Sequence, residues 1–141
     1  MFRNNLHEVY LGLGSNLGDR EQTLREAVKR IEELVGEVVR RSALYETEPW
    51  GFVSDHPFVN AAVCCMTELS PRGVLEKTQL IERELGRTHK SVDGHYTDRP
   101  IDIDILLYDD ITVDEPDLRI PHPLMHERDF VMKPLNEILR G

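Results

Sequence analysis

Asp98-Arg99-Pro100-Ile101-Asp102-Ile103-Asp104-Ile105-Leu106-Leu107-Tyr108 is the stretch from which the fold is read. Isoleucine, leucine and tyrosine dominate it and its residues alternate, which marks a β-strand entered from an arginine-bearing loop. Side chains two apart on a strand share a face. Ile101, Ile103, Ile105 and Leu107 therefore form one apolar face, and Asp102, Asp104, Leu106 and Tyr108 form the other. The second face passes from acidic to apolar, where a wholly solvated face stays polar. The reading places the strand inside a sheet, with its acidic end opening into a cleft. Two carboxylates at such positions lie roughly 7 Å apart at Cα. Partly buried and unpaired, they repel, and one tends to take up a proton. A divalent cation removes both penalties, and hard cations such as Mg²⁺ share carboxylate oxygens with phosphates. An isolated Asp-x-Asp is more often a strand end facing water, so the remainder of the chain decides.

Immediately upstream, Arg87-Thr88-His89-Lys90-Ser91-Val92-Asp93-Gly94-His95-Tyr96-Thr97-Asp98-Arg99 has no apolar periodicity. It gathers Arg87, Lys90 and Arg99 in a chain whose net charge is −9. It is either an ordinary charged surface loop or a set of cations placed for a polyphosphate, whose charge they stabilise together with Mg²⁺.

Further back, Ser70-Pro71 opens a helix with a capping residue and a proline at its first position. Val74, Thr78, Ile81 and Leu85 line its buried side, Gln79 and Glu82 share a different one, and Gly86 ends it. Phe58–Thr67 is apolar on both faces and is expected to be a central strand, with Cys64 and Cys65 on opposite faces. Asn60 within it either satisfies loop backbone or reads the edge of a planar heterocycle. The loop Glu46–Pro57 carries two aromatics, including the single tryptophan, Trp50. They either staple the loop to the core or meet a ligand.

Glu37–Tyr45 reads as a second strand. Before it, Leu24, Ala27, Val28, Ile31 and Leu34 give a helical stripe from about Arg20 to Val35. Asp19 is the expected N-cap with Gln22 at the capping-box spacing, Glu26 and Arg30 the expected wet-side pair, and Gly36 the C-cap. Glu8–Gly14 is a first strand with Val9, Leu11 and Leu13 on one face. Gly12 and Gly14 leave bare backbone on the other, next to Tyr10.

Downstream of the acidic strand, Asp109-Asp110 suggests a turn and Ile111–Val113 a short returning strand. Prolines bracket His122, a core hydrogen-bonder or a ligand contact. Val131–Arg140 closes the chain as a strand or short helix. The expected class is α+β, a ferredoxin-like βαββαβ antiparallel sheet with helices packed on one face and a short extra C-terminal segment.

The 141 residues suffice for one domain spanning 1–141. The acidic balance argues against nucleic acid as a partner. No apolar run is long enough to span a membrane, and residues 1–5 carry no signal-peptide pattern. Two non-pairing cysteines fit a reduced, cytoplasmic protein. Histidine and cysteine spacings do not suit zinc, and no exposed apolar stripe points away from a monomer.

Set in line, these motifs resemble the 6-hydroxymethyl-7,8-dihydropterin pyrophosphokinases of folate biosynthesis. The resemblance runs through Gly14-Ser15-Asn16-Leu17-Gly18, Tyr45-Glu46-Thr47, Asn60-Ala61-Ala62-Val63, Thr78-Gln79-Leu80-Ile81-Glu82, Arg99 to Leu107, Ile120-Pro121-His122-Pro123 and Arg128-Asp129-Phe130. It implies transfer of pyrophosphate from ATP to the hydroxymethyl oxygen of the reduced pterin, with AMP leaving. It implies that Asp102 and Asp104 hold two Mg²⁺ ions and that Arg87 and Arg99 are catalytic. By the same resemblance ATP is held by Gln79, Glu82, Arg87, Lys90, Arg99, Ile105, His122 and Arg128. The pterin is held by Thr47, Pro49, Trp50, Phe58, Asn60 and Phe130, the two phenylalanines sandwiching its ring. Thr97-Asp98 stands where many relatives have Gly-Pro. Two other classes compete. A nucleotidyltransferase pairs a Gly-Ser turn with a nearby Asp-x-Asp, but Ser15 and Asp102 lie far apart here. A non-catalytic binding module leaves the acidic pair and the cations without a task.

Overall fold

The sheet is held between two unequal apolar layers, and the lesser of the two frames the site. A computed structural model describes residues 6–16, 19–47, 57–86, 101–123 and 125–139. In order these form β1 (His7–Ser15), α1 (Arg20–Leu34), β2 (Gly36–Arg41), β3 (Tyr45–Thr47), β4 (Phe58–Thr67), α2 (Pro71–Glu84), β5 (Asp102–Tyr108), β6 (Val113–Glu115), β7 (Leu118–Ile120), a 3₁₀ turn (Met125–Glu127) and α3 (Asp129–Ile138). The result is an α+β fold with an antiparallel sheet and, among the described residues, three α-helices. The main sheet runs β2-β4-β1-β5, and β3 pairs with β4 beyond the end of β2.

The helix ends are set as their sequences require. Asp19 accepts from Gln22 N at 3.1 Å and Ser70 from Gly73 N at 3.1 Å, each satisfying one orphan amide of a first turn. Gly86 adopts φ 104°, as a helix-ending glycine does. Gly36 does not cap α1 by a left-handed turn. It starts β2, where a Cβ would stand 2.0 Å from Met66 O, so the glycine is there for backbone approach. Arg30 pairs with Glu33 and Glu84 rather than with Glu26.

One layer joins Val9, Leu11 and Leu13 of β1, Val63 and Cys65 of β4, and Ile103 and Ile105 of β5 to Leu24 and Ile31 of α1 and Val74 and Ile81 of α2. Each fully buried Leu or Ile adds roughly 2 kcal/mol of transfer free energy. The opposite layer joins Tyr10, Ala62, Cys64 and Leu106 to Met125 and to Val131, Leu135 and Ile138 of α3. The expectation of helices on one face thus holds for α1 and α2 only. The closing segment is a helix on the other face, with Pro134 buried within it. Cys64 and Cys65 fall on opposite faces and both are free. Burial pushes the Cys65 thiol up to about 12 and raises Cys64 as well, which rules both out as ready nucleophiles.

Three further expectations are corrected. The strand read as Glu37–Tyr45 is broken after Arg41. Ser42 N still donates to Ala62 O at 2.9 Å, but Ala62 N donates to Ser42 Oγ, a side chain replacing the ladder carbonyl. The strand expected at Ile111–Val113 begins at Val113 and pairs with β7 as a separate hairpin, tied to α2 by Arg72 on Glu115 and Asp117. Lastly, β5 does not keep one alternation. Pairing shifts between Tyr10 and Leu11, with Leu11 opposite Ile105 and Tyr10 opposite Leu107. This β-bulge takes Leu106 as the extra residue. Leu107 therefore packs on the α3 side and Tyr108 on the α1–α2 side, the reverse of strict alternation.

Candidate active site

Register brings the predicted groups into two rows on the α3 side of the sheet. Asn60 of β4, Gly14 of β1 and Asp102 of β5 are direct cross-strand neighbours. Ala62, Gly12 and Asp104 form the next row. Tyr45 of β3 extends the first row, opposite Asn60. In antiparallel pairs opposite residues point to the same side, so two bare glycines lie between the amide and the carboxylates.

Asn60 is 4% exposed and Phe58, two residues earlier, is 7% exposed. An added Cβ on Gly14 would lie 2.9 Å from Asn60 Oδ1 and 3.4 Å from Phe58 Cδ1. Gly14 is thus the floor on which Asn60 and Phe58 rest. Phe130, on the first turn of α3, packs against the apolar layer of this side, with the Arg128 guanidinium carbon 5.7 Å from its ring centre. Arg128 itself is buried to 6% exposure.

Asp102 and Asp104 are half-buried, with the Asp104 side chain 31% exposed. His122 is hung from β5 by its amide, which donates to Leu106 O at 3.1 Å. Its Nε2 lies 4.0 Å from Asp104 Oδ1, longer than a hydrogen bond. Burial, and then the Arg128 charge, lower its pKa, opposed by Asp102. The ring is therefore neutral at pH 7 and offers one donor and one acceptor.

On the other side of the sheet stand Ile105, whose side chain lies in the α1–α2 layer, and Glu82 of α2, 2% exposed. Glu82 Oε2 accepts from Ile103 N at 2.7 Å, on the residue between the two aspartates. β5 ends the sheet order, so this carboxylate seals an open edge at the acidic pair. Gln79 is half-buried on the same helix. Thr47 pairs with Phe58 through its strand. Pro49, Trp50, Arg87, Lys90 and Arg99 lie outside the described residues. Periodicity gave no sign of Arg20 as a further contact. It donates to Pro57 O at 2.8 Å and pairs with Glu46 at 2.9 Å, joining the residues that flank 48–56. In the sequence it is an ordinary first-turn arginine.

The oxygen donors suit a hard divalent cation. Among the described residues no cluster of three or more ligating side chains occurs. An ion on the aspartate pair would draw its other ligands from water and substrate, the habit of Mg²⁺ and not of structural zinc.

Fold and site together define an antiparallel α+β protein whose sheet presents an amide, two glycines and two carboxylates in adjacent rows. The family model that matches is that of 7,8-dihydro-6-hydroxymethylpterin-pyrophosphokinase, over residues 10–140. The chain belongs to this family. It is 55% identical over 131 residues to the 2-amino-4-hydroxy-6-hydroxymethyldihydropteridine pyrophosphokinase of Porphyromonas gingivalis, covering 92% of this chain and 89% of that one. The Bacillus subtilis protein of the same name is 44% identical, covering 92% and 77%. Among solved structures, an HPPK-DHPS complex with substrates matches with a TM-score of 0.76 at 15% identity, and a Plasmodium falciparum HPPK-DHPS triple mutant with 0.71 at 20%. This chain spans 40% of the length of each of those two, and they speak for the fold alone. No helix among the described residues is long and apolar enough to cross a membrane.

Alanine at Gly14 is expected to push the Asn60 amide off its position while the strands keep their pairing, because the collision is with a side-chain end. Turnover assays should show KM for the pterin raised roughly tenfold, about 1.4 kcal/mol, with KM for ATP unchanged. Equal rises in both would remove Gly14 from the pterin side.

Proposed function

We infer that this protein transfers pyrophosphate from ATP to the hydroxymethyl group of 6-hydroxymethyl-7,8-dihydropterin, releasing AMP, as a step of folate biosynthesis. The observation that carries this reading is the row Asn60–Gly14–Asp102, an amide and a carboxylate on one face two strands apart. Asn60 reads the amide-like edge of the pterin, and Phe58 and Phe130 stack on its faces. Thr47, Pro49 and Trp50 complete that subsite. Asp102 and Asp104 hold the metal, two Mg²⁺ ions on this proposal. When bound, Mg²⁺ neutralises triphosphate charge and lowers the pKa of the attacking hydroxyl. The hydroxymethyl oxygen forms a bond to the β-phosphorus, the bond from that phosphorus to the α-phosphate oxygen breaks, and the hydroxyl proton passes to solvent. Arg87, Lys90 and Arg99 hold the phosphates and stabilise charge that grows in the transition state. His122, neutral, and Arg128 add contacts to the nucleotide, and Gln79, Glu82 and Ile105 complete that subsite. The strand order β2-β4-β1-β5 supports a ferredoxin-like core to which α3 is an addition. A single domain, a monomer and a cytoplasmic location complete the proposal.

The experiment is to incubate the protein with Mg-ATP and the reduced hydroxymethylpterin and identify the nucleotide product. AMP without free pyrophosphate is the expected result. ADP, or no turnover, overturns it, the second in favour of a binding module.

A further inference from the structure

We propose that Glu137 and Tyr45 form a positioning couple that fixes α3 against the Asn60 strand and so sets the width of the pterin slot, a role that rests on the function proposed above. Phe130 stands on the first turn of α3, so its place depends on how that helix is anchored. The apolar residues Val131, Leu135 and Ile138 hold it to the sheet without direction. Direction comes from polar contacts at the far end. Arg40 Nε donates to Ile138 O at 2.9 Å, and Nη2 of the same guanidinium reaches Tyr10 Oη at 2.7 Å. This fixes the helix end to β1 and β2.

Glu137 then ties it to β3. Both of its oxygens lie 3.1 Å from Ala43 N, and Oε1 accepts from Tyr45 Oη at 2.6 Å. That bond raises the Tyr45 phenol above its ordinary value. Tyr45 is also the residue in register with Asn60. One tyrosine therefore touches the strand that carries the amide and the helix that carries the ring. A short bond to a charged acceptor is directional. The carboxylate is exposed, so it adds little to stability. Its contribution lies in geometry, where a shift of about 1 Å is costly to a stacked planar ligand.

The test compares E137A, Y45F, the double variant and E137Q in steady-state kinetics. E137A and Y45F should each raise KM for the pterin roughly tenfold while KM for ATP stays within about twofold, with thermal midpoints close to wild type. The double variant should be no worse than the poorer single one, since the two act as a unit. E137Q should retain near-wild-type kinetics, because its amide oxygen still accepts. A parallel rise in both KM values, additive single effects, or E137Q as poor as E137A each overturns the couple. If the wild type does not turn over the pterin, the proposed function falls instead. The couple is then judged by amide exchange in the apoprotein. It predicts faster exchange at residues 43–47 of E137A with 63–67 unchanged, and unaltered exchange at 43–47 overturns it.

Discussion

Alanine in place of Asp104 is expected to lower kcat/KM by roughly 10³, about 4 kcal/mol of transition-state stabilisation, with Asp102→Ala similar in size. The argument is electrostatic. The reaction moves a highly charged group between two oxygens, and the carboxylates are the described groups placed to hold a cation for it. The loss is not a loss of fold. Asp104 is half-buried and belongs to neither apolar layer, so its removal takes no apolar packing from the core. Circular dichroism should show that the fold survives. Titration with Mg²⁺ at saturating pterin should show a weaker metal dependence. Near-normal turnover in either variant would refute the metal assignment.

Glu82→Ala carries the second large effect, on stability. The sequence puts Glu82 with Gln79 on a face apart from the buried stripe of α2, yet it is 2% exposed and accepts from Ile103 N. Alanine leaves that amide without its acceptor at a buried strand edge and opens space beside it. A lost bond to a charged acceptor costs roughly 1.5–3 kcal/mol. With the space added the sum is about 3 kcal/mol, a fall of roughly 8 °C in Tm for a domain of this size. Glu82→Gln keeps an acceptor and should lose about 1 kcal/mol. If Glu82 acted only as a nucleotide contact, E82A would raise KM for ATP at an unchanged Tm. Thermal unfolding beside ATP kinetics separates the two.

The helices were legible because their signals are local. Asp19, Ser70-Pro71 and Gly86 mark ends by backbone chemistry, and the stripes of α1 and α2 need only a period. The rows across the sheet were half legible. Alternation gave the faces of β1 and of the acidic half of β5, but which residues become neighbours depends on register, which is a property of pairs of strands. What stayed hidden depended on distant groups. Ser42 breaks β2 from β3 by bonding Ala62, with no glycine or proline to announce it. Glu82 is buried because an edge amide needs it. The end of the chain was open between a strand and a short helix, and it is the helix, with Pro134 inside it and an apolar face on the sheet. The family resemblance implied what periodicity could not, that the acids, the asparagine and the phenylalanines serve one site.

The bulge at Leu106 makes β5 two half-strands of opposite parity. Residues 102–105 obey one rule of inside and outside, and 107–108 the reverse. A saturation scan along this strand should therefore show a phase slip. Tolerance to polar substitution would fall on even positions before Leu106 and on the odd position, Leu107, after it. Deleting Leu106 would restore a single parity and leave Tyr108 in the layer it shares with Leu118. The acidic half and the half that closes the core are thus geared separately, so substitution in one need not be answered in the other.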